Sequence, residues 1–284
     1  MAIKIIETPR DAMQGLKKWI PTEQKVKYIE QLLRVGFHTL DVGSFVSEKV
    51  IPQMRDTELV VKSLENIEDS KTKLSVVVAN RKGIDKALYF DSISYVGFPF
   101  SISEVFQQKN TGKSRVEAIQ LVEDMVSKCV QRKKTPVVYI SMCFGNPYND
   151  PWSLEEIDSW IKKIVDVGVH YFSLSDTIGC ASDGQITDVF SMLNEKYNVD
   201  FGAHFHSIPR EGSSKIEAAF HAGCSRFDGA LQGLGGCPMA KDDLLGNMAT
   251  EMLIDFFDKN GISLTIDRTE LQKAQSLCKQ ILMA

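Results

Sequence analysis

The sequence contains no CxxC pair, and its six cysteines (Cys129, Cys143, Cys180, Cys224, Cys237 and Cys278) are scattered along the chain. That spacing spells out neither a zinc ribbon nor a disulfide framework, and it fits buried or reactive thiols in a reducing compartment. No apolar run approaches the roughly 18 residues that mark a membrane-spanning helix, and the start, Met1 to Glu7, reads as a strand rather than as a charged segment leading an apolar signal region. A basic stripe is also missing. With 33 Lys and Arg against 37 Asp and Glu, a net charge of −4 and a pI near 5.8, nonspecific binding to nucleic acid or to a membrane surface is excluded, so any anionic ligand must be met locally. Pro-rich and Ser-rich tracts are absent too. At 43% hydrophobic and 25% charged residues, the chain has the composition of a globular protein with a core to bury. The cytoplasm is the expected location.

What is present is an alternation. Short β-branched runs occur at Ile3 to Glu7, Thr39 to Gly43, Leu74 to Ala79, Ser92 to Gly97, Val137 to Cys143, Tyr171 to Asp176, Asp200 to His206 and Ser225 to Ala230. Amphipathic stretches such as Thr22 to Val35, Ser114 to Arg132, Ser153 to Val167 and Ile186 to Tyr197 fall between them. Eight β–α units of this size predict a TIM (β/α)8 barrel, with an open doubly wound sheet as the other topology of the same pattern. Barrels of about 250 residues form one unit. The expected organisation is therefore a single catalytic domain over 1–284, with residues from about 262 onward as a C-terminal helical extension.

In such a barrel, chemistry belongs at the C-terminal ends of the strands. His204-Phe-His206 puts two imidazoles on one face of the seventh strand, because residues two apart point the same way. Two readings stand open: a metal pair, or two unrelated polar positions at a strand end. The barrel favours the first, since Asp11 after strand one and Asn247 after strand eight approach the same spot. Two imidazoles, a carboxylate and an amide oxygen suit an octahedral Mg²⁺ or Mn²⁺ better than zinc, which more usually recruits a thiolate or a third histidine. Arg10, beside Asp11, reads either as a guanidinium that meets a developing enolate or as a salt-bridged loop arginine. The segment Gln232 to Asn247 carries Cys237 among glycines, which reads either as a surface turn or as a loop bringing a thiol to the site. His38, His170 and His221 read as surface or packing residues.

Taken in order, Thr8-Pro-Arg-Asp-Ala-Met-Gln14, Ser44 to Met54, Asn80-Arg-Lys-Gly83, Ser103 to Asn110, Ser175-Asp-Thr-Ile-Gly179, His204-Phe-His206, Gly235-Gly-Cys-Pro-Met-Ala240 and Gly246 to Glu251 span most of the chain. As a set they resemble the 3-hydroxy-3-methylglutaryl-CoA lyases of the DRE-TIM metallolyase superfamily. The resemblance implies Asp11, His204, His206 and Asn247 as ligands of a divalent cation, Arg10 as the enolate-stabilising group and Cys237 as a proton-transfer group. Asp41 stands where the family carries a catalytic glutamate, and Asp176 where it carries an aspartate important for activity; His204 counts among the catalytic groups as well as the ligands. The implied reaction is a retro-Claisen-type cleavage of a 3-hydroxyacyl-CoA, with acetyl-CoA and a 3-oxoacid such as acetoacetate as products. Arg81, Lys82, Lys109 and Asn110 are the candidates for holding the CoA carrier.

The chain also departs from the family pattern. Ala12 and Met13 replace Gly and Leu, Asp41 is one methylene shorter than Glu, Ser207 and Ile208 replace Asp and Thr after the histidine pair, and Lys241, Asp242 and Asp243 lengthen the loop after Cys237. These changes bear on substrate identity, and they leave two rivals to the lyase: a condensing acyl-CoA transferase of the same superfamily, or a barrel that kept its metal site and lost its activity. A homodimer is the expected assembly.

Overall fold

The computed structural model describes residues 2–65, 70–236 and 245–283. Its strands are β1 (Lys4–Glu7), β2 (Thr39–Ser44), β3 (Lys73–Val77), β4 (Ile93–Ser101), β5 (Thr135–Ser141), β6 (Tyr171–Asp176), β7 (Asp200–Phe205) and β8 (Arg226–Gly229). The helices are α1 (Pro9–Gln14), α2 (Thr22–Val35), α3 (Thr57–Leu64), α4 (Arg81–Tyr89), α5 (Glu104–Thr111), α6 (Arg115–Gln131), α7 (Leu154–Asp166), α8 (Asp183–Lys196), α9 (Pro209–His221), α10 (Thr250–Lys259) and α11 (Arg268–Leu282).

The strands form one closed parallel barrel in sequence order. Closure runs through β1 and β8, from Lys4 opposite Arg226 to Glu7 opposite Gly229, and it rules out the open sheet. The TIM barrel follows from a chain in which each strand is backed by an amphipathic helix with a defined start. Ser114 and Ser182 each close a capping box with Glu117 and Gln185, and Asn80, Ser103 and Ser153 each accept a backbone N–H of the following helix. α2 presents Tyr28, Ile29, Leu32 and Val35 to the core.

Only β6 keeps both of its expected limits; most of the others shift by one or two residues, and the changes in β4 and β7 bear on the site. β4 continues four residues past Gly97, through Pro99 to Ser101. Pro cannot donate to a ladder and reads as a strand end, yet Pro99 keeps its place opposite Tyr139. Gly97 is required there because a Cβ would lie 2.8 Å from Tyr139 Cε2. β7 stops at Phe205, so His206 lies just beyond the strand.

The C-terminal extension is helical. Asp267 caps α11 by accepting from Thr269 N at 2.8 Å and Glu270 N at 2.9 Å, and Leu271, Ala274, Cys278 and Leu282 are buried. Gln31 of α2 donates to Glu270 Oε2 at 2.8 Å, tying the two helices together. Among the described residues no helix is long and apolar enough to cross a membrane.

Candidate active site

A cavity of about 540 Å³ opens at the C-terminal ends of the strands, with Arg10, Asp11, Tyr139, His204 and His206 along its lining. The turn out of β1 aims the first two of these inward. Thr8 Oγ1 donates to Gly229 O at 2.9 Å, and Pro9 opens α1 at a position where its missing N–H costs nothing. Arg10 and Asp11 therefore leave the first helical turn over the barrel axis, and both are buried.

Each imidazole is fixed by a partner on its Nδ1. His206 Nδ1 lies 2.9 Å from Thr177 O, and because a carbonyl only accepts, Nδ1 carries the proton and Nε2 presents a lone pair. That Nε2 is buried with no hydrogen-bond partner among the described residues. His204 Nδ1 lies 3.1 Å from Asp228 Oδ2, while its Nε2 is 3.9 Å from Asp11 Oδ2. Burial works against a charged His204, but the hydrogen bond and charge of Asp228, with Asp11 behind them, carry its pKa up. His206 goes the other way, lowered by burial and by His204.

Asn247 reaches the same place through the backbone. It forms an isolated antiparallel bridge with His206, flanked by Ser207 N donating to Gly246 O at 3.1 Å and Met248 N donating to Phe205 O at 2.9 Å. Its Nδ2 donates to Leu234 O at 2.8 Å, which leaves Oδ1 as the acceptor end. Asp11 Oδ1 accepts from Gln14 Nε2 at 3.0 Å and from Gly236 N at 3.3 Å. Burial would lift its pKa, but Arg10, His204 and His206 outweigh it and hold the carboxylate below its ordinary range.

Among the described residues no three His, Cys, Asp or Glu side chains form a ready-made metal cluster. The set gathered here has an amide as its fourth member, and Asp11 is shared with Arg10 at 3.4 Å. The donor chemistry still fits a hard divalent ion: a buried, unpartnered imidazole nitrogen, a second imidazole fixed by a carboxylate, an ionised aspartate and an amide oxygen.

Arg10 is held by Asp41, with Nε at 3.0 Å and Nη2 at 2.6 Å from the same Oδ2. Burial alone would weaken the Arg10 charge, but Asp41 and Asp11 together keep it protonated. The remaining Asp41 oxygen is buried and has no hydrogen-bond partner among the described residues. Asp41 does not line the cavity, so its action runs through Arg10. Asp176 is likewise set back. It accepts from Cys180 N at 2.9 Å, Ala181 N at 3.1 Å and Lys215 Nζ at 2.8 Å, and it shapes the 177–181 turn that carries Thr177 to His206.

Farther out, Lys109 and Asn110 line the cavity mouth, with Lys109 Nζ 4.2 Å above the Tyr148 ring. Arg81 and Lys82 are exposed on the first turn of α4, outside the lining, and Arg81 Nε is 3.7 Å from Asp124. Cys237 lies outside the described residues, as do Lys241, Asp242 and Asp243.

Sequence reasoning did not single out Asp228, Tyr139 or Lys215; it met Glu7 only as a polar residue at a strand end and Glu251 only as the end of a family motif. Asp228 stands opposite His204 in the pairing of β7 with β8, a neighbour that no local window of sequence shows. Tyr139, edge-on to His204 with ring centroids 5.6 Å apart, reads in sequence as ordinary strand apolarity.

A family model described as HMGL-like matches residues 2–278. A hydroxymethylglutaryl-CoA lyase of Bacillus subtilis is 30% identical over 274 residues, covering 96% of this chain and 89% of its own. A cytoplasmic 3-hydroxy-3-methylglutaryl-CoA lyase of Danio rerio is 31% identical over 282 residues, covering 98% of this chain and 83% of its own. Among solved structures, an HMG-CoA lyase from Acinetobacter baumannii, in complex with coenzyme A and 3-methylmalate, superposes with a TM-score of 0.91 at 29% identity, covering 99% of this chain and 92% of that one. The carboxyl transferase domain of Rhizobium etli pyruvate carboxylase, at 13% identity and a TM-score of 0.74, shares the fold alone. Barrel, site geometry and a family match over nearly every residue agree, and the chain belongs to the HMGL-like family.

Proposed function

We propose that this chain is a carbon–carbon lyase that cleaves 3-hydroxy-3-methylglutaryl-CoA, or a closely similar 3-hydroxyacyl-CoA, to acetyl-CoA and a 3-oxoacid such as acetoacetate. The observation that carries the reading is the convergence of His204, His206, Asp11 and Arg10 on one wall of an open cavity. The names of the relatives at about 30% identity support it. Asp11, His204, His206 and Asn247 would hold a Mg²⁺ or Mn²⁺ ion. Such an ion, when bound, supplies Lewis-acid polarisation of the substrate hydroxyl and lowers its pKa.

The protein groups supply the rest. Arg10, kept charged and immobile by Asp41, is placed to stabilise the oxygen that gains charge as the bond breaks, at no reorganisation cost. Asp228 and Thr177 O fix the faces of the two imidazoles, so their Nε2 atoms stay turned to the cavity. Lys109 and Asn110 at the mouth are the nearest groups for the carrier's phosphates, with Arg81 and Lys82 as outer contacts. Cys237 is assigned proton transfer to the released carbanion. The working form is a cytoplasmic homodimer in which residues 1–284 act as one domain, a state that light scattering of the purified protein measures directly.

The test is acetoacetate release from 3-hydroxy-3-methylglutaryl-CoA by purified protein. Chelator abolishes turnover and Mg²⁺ or Mn²⁺ restores it. Protein that turns over nothing with either ion, yet condenses acetyl-CoA with a 2-oxoacid, is the transferase instead. Cys237→Ser lowers turnover by orders of magnitude while metal binding stays intact; an unchanged rate removes the thiol from the mechanism.

A further inference from the structure

Gln232 adopts φ 61° and ψ 13°, a left-handed conformation that L side chains disfavour. It begins a run in which Gly233, Gly235 and Gly236 also have positive φ, at 63°, 90° and 121°. Glycine takes those values freely, so Gln232 is the member of the run whose conformation needs outside support. Glu251, on the first turn of α10, gives it. The Gln232 backbone N donates to Glu251 Oε2 at 3.0 Å and to Oε1 at 3.3 Å, and Gln232 Nε2 donates to Oε1 as well. Glu251 is itself held by Gln275 of α11, whose Nε2 donates to Oε1 at 3.2 Å.

The turn that begins at Gln232 touches two of the proposed ligands. Leu234 O accepts from Asn247 Nδ2, and Gly236 N donates to Asp11 Oδ1. Gly235 is packed so closely that a Cβ would lie 2.5 Å from Asp11 O and 2.8 Å from Asn247 Nδ2. We infer that Glu251, braced by Gln275 from the C-terminal helix, is a positioning residue: it locks Gln232 in its left-handed conformation and thereby sets the turn that orients Asp11 and Asn247. The inference rests on the reading of those two residues as cation ligands. It makes α11, on the outside of the barrel, a working part of the site.

The test measures Mn²⁺ uptake by the metal-free, full-length protein, using the electron paramagnetic resonance signal of free Mn²⁺, alongside thermal melting without metal. Glu251→Ala weakens Mn²⁺ affinity by about tenfold or more, the range for groups that orient ligands. Gln232→Gly introduced into that variant recovers most of the loss, because glycine holds the left-handed conformation unaided. Should Glu251→Ala fail to fold, Glu251→Gln keeps one acceptor oxygen and shows a smaller loss with the same recovery. Wild-type affinity in the Glu251 variants, or no recovery in the double variant, overturns the inference and leaves Glu251 as a helix residue of α10. Wild-type protein that takes up no Mn²⁺ overturns the cation reading itself, and this inference with it.

Discussion

Arg10 commits Nε and Nη2 to one oxygen of Asp41, and its Nη1 lies 2.9 Å from Gln14 Oε1. Removing the Asp41 charge strips the buried guanidinium of its shorter ion pair and leaves it only Asp11, 3.4 Å from Nη1; breaking a buried pair costs up to about 3–5 kcal/mol. Asp41→Asn is therefore expected to lower the melting temperature and to cut kcat by roughly a hundredfold or more, the equivalent of about 3 kcal/mol, as steady-state assays and thermal melts of the same preparation will show. Glu7 offers a pH test. Burial, against hydrogen bonds from Thr250 and Leu231, pushes its carboxyl from 4.5 up to about 8. The folded state thus binds a proton that the unfolded chain releases, so this contribution is present below pH 4.5 and is lost as pH rises through about 8. Glu7→Gln, which mimics the protonated form, should flatten the fall in melting temperature between pH 5 and 8.5. At this scale the sequence revealed what touches the cavity. The histidine pair and Arg10-Asp11 stand in recognisable spacing, whereas Asp228, Glu7 and Glu251 act through other groups, and an acid in a strand or at a helix start has no pattern that says what it will face.

The β6 and α9 elements meet through Lys215 and Asp176. Lys215 is only 2% exposed, and its Nζ also donates to Gly179 O at 3.0 Å. In the sequence, Ser-Ser-Lys215-Ile reads as the solvent face of a helix, and nothing local says that a buried carboxylate waits across the gap. Lys215→Met should leave Asp176 buried without its counterion and destabilise the fold by about 3–5 kcal/mol, read as a large drop in the urea midpoint with an unchanged slope. Gly97→Ala tests the neighbouring side of the barrel. Its Cβ would press on the Tyr139 ring, and overpacking of this kind costs about 1–3 kcal/mol. The starts of α6 and α7 were legible because the Ser114 and Ser153 caps are local chemistry, whereas α8 begins at its Ser182 cap, ahead of the expected Ile186. The extension of β4 through Pro99 was not legible, because the barrel's tertiary pairing overrides proline's local veto.

At the scale of the molecule, eight alternating units were enough to give the architecture, and closure of the ring then decided which loops became neighbours. The C-terminal helix was expected only as an extension; its packing on α2 and its reach to Glu251 depend on long-range contacts that no window of sequence contains. Ending the chain before Asp267 removes α11 and should expose the α2 surface that it covers, and the expected result is a lower melting temperature with loss of soluble yield, measured against the full chain. Ring closure between the first and last strands also dictates an order of events in the cell. Asp11 leaves the ribosome early, and its contact Gly236 lies 225 positions later in the chain. The two edges of the barrel cannot meet until nearly the whole polypeptide has been made, so folding awaits a long-range step of the kind that slows it. If Asp11 and Asn247 share a cation as proposed, a growing chain that has not yet delivered its eighth strand and the turn at Gly236 has no complete site to load.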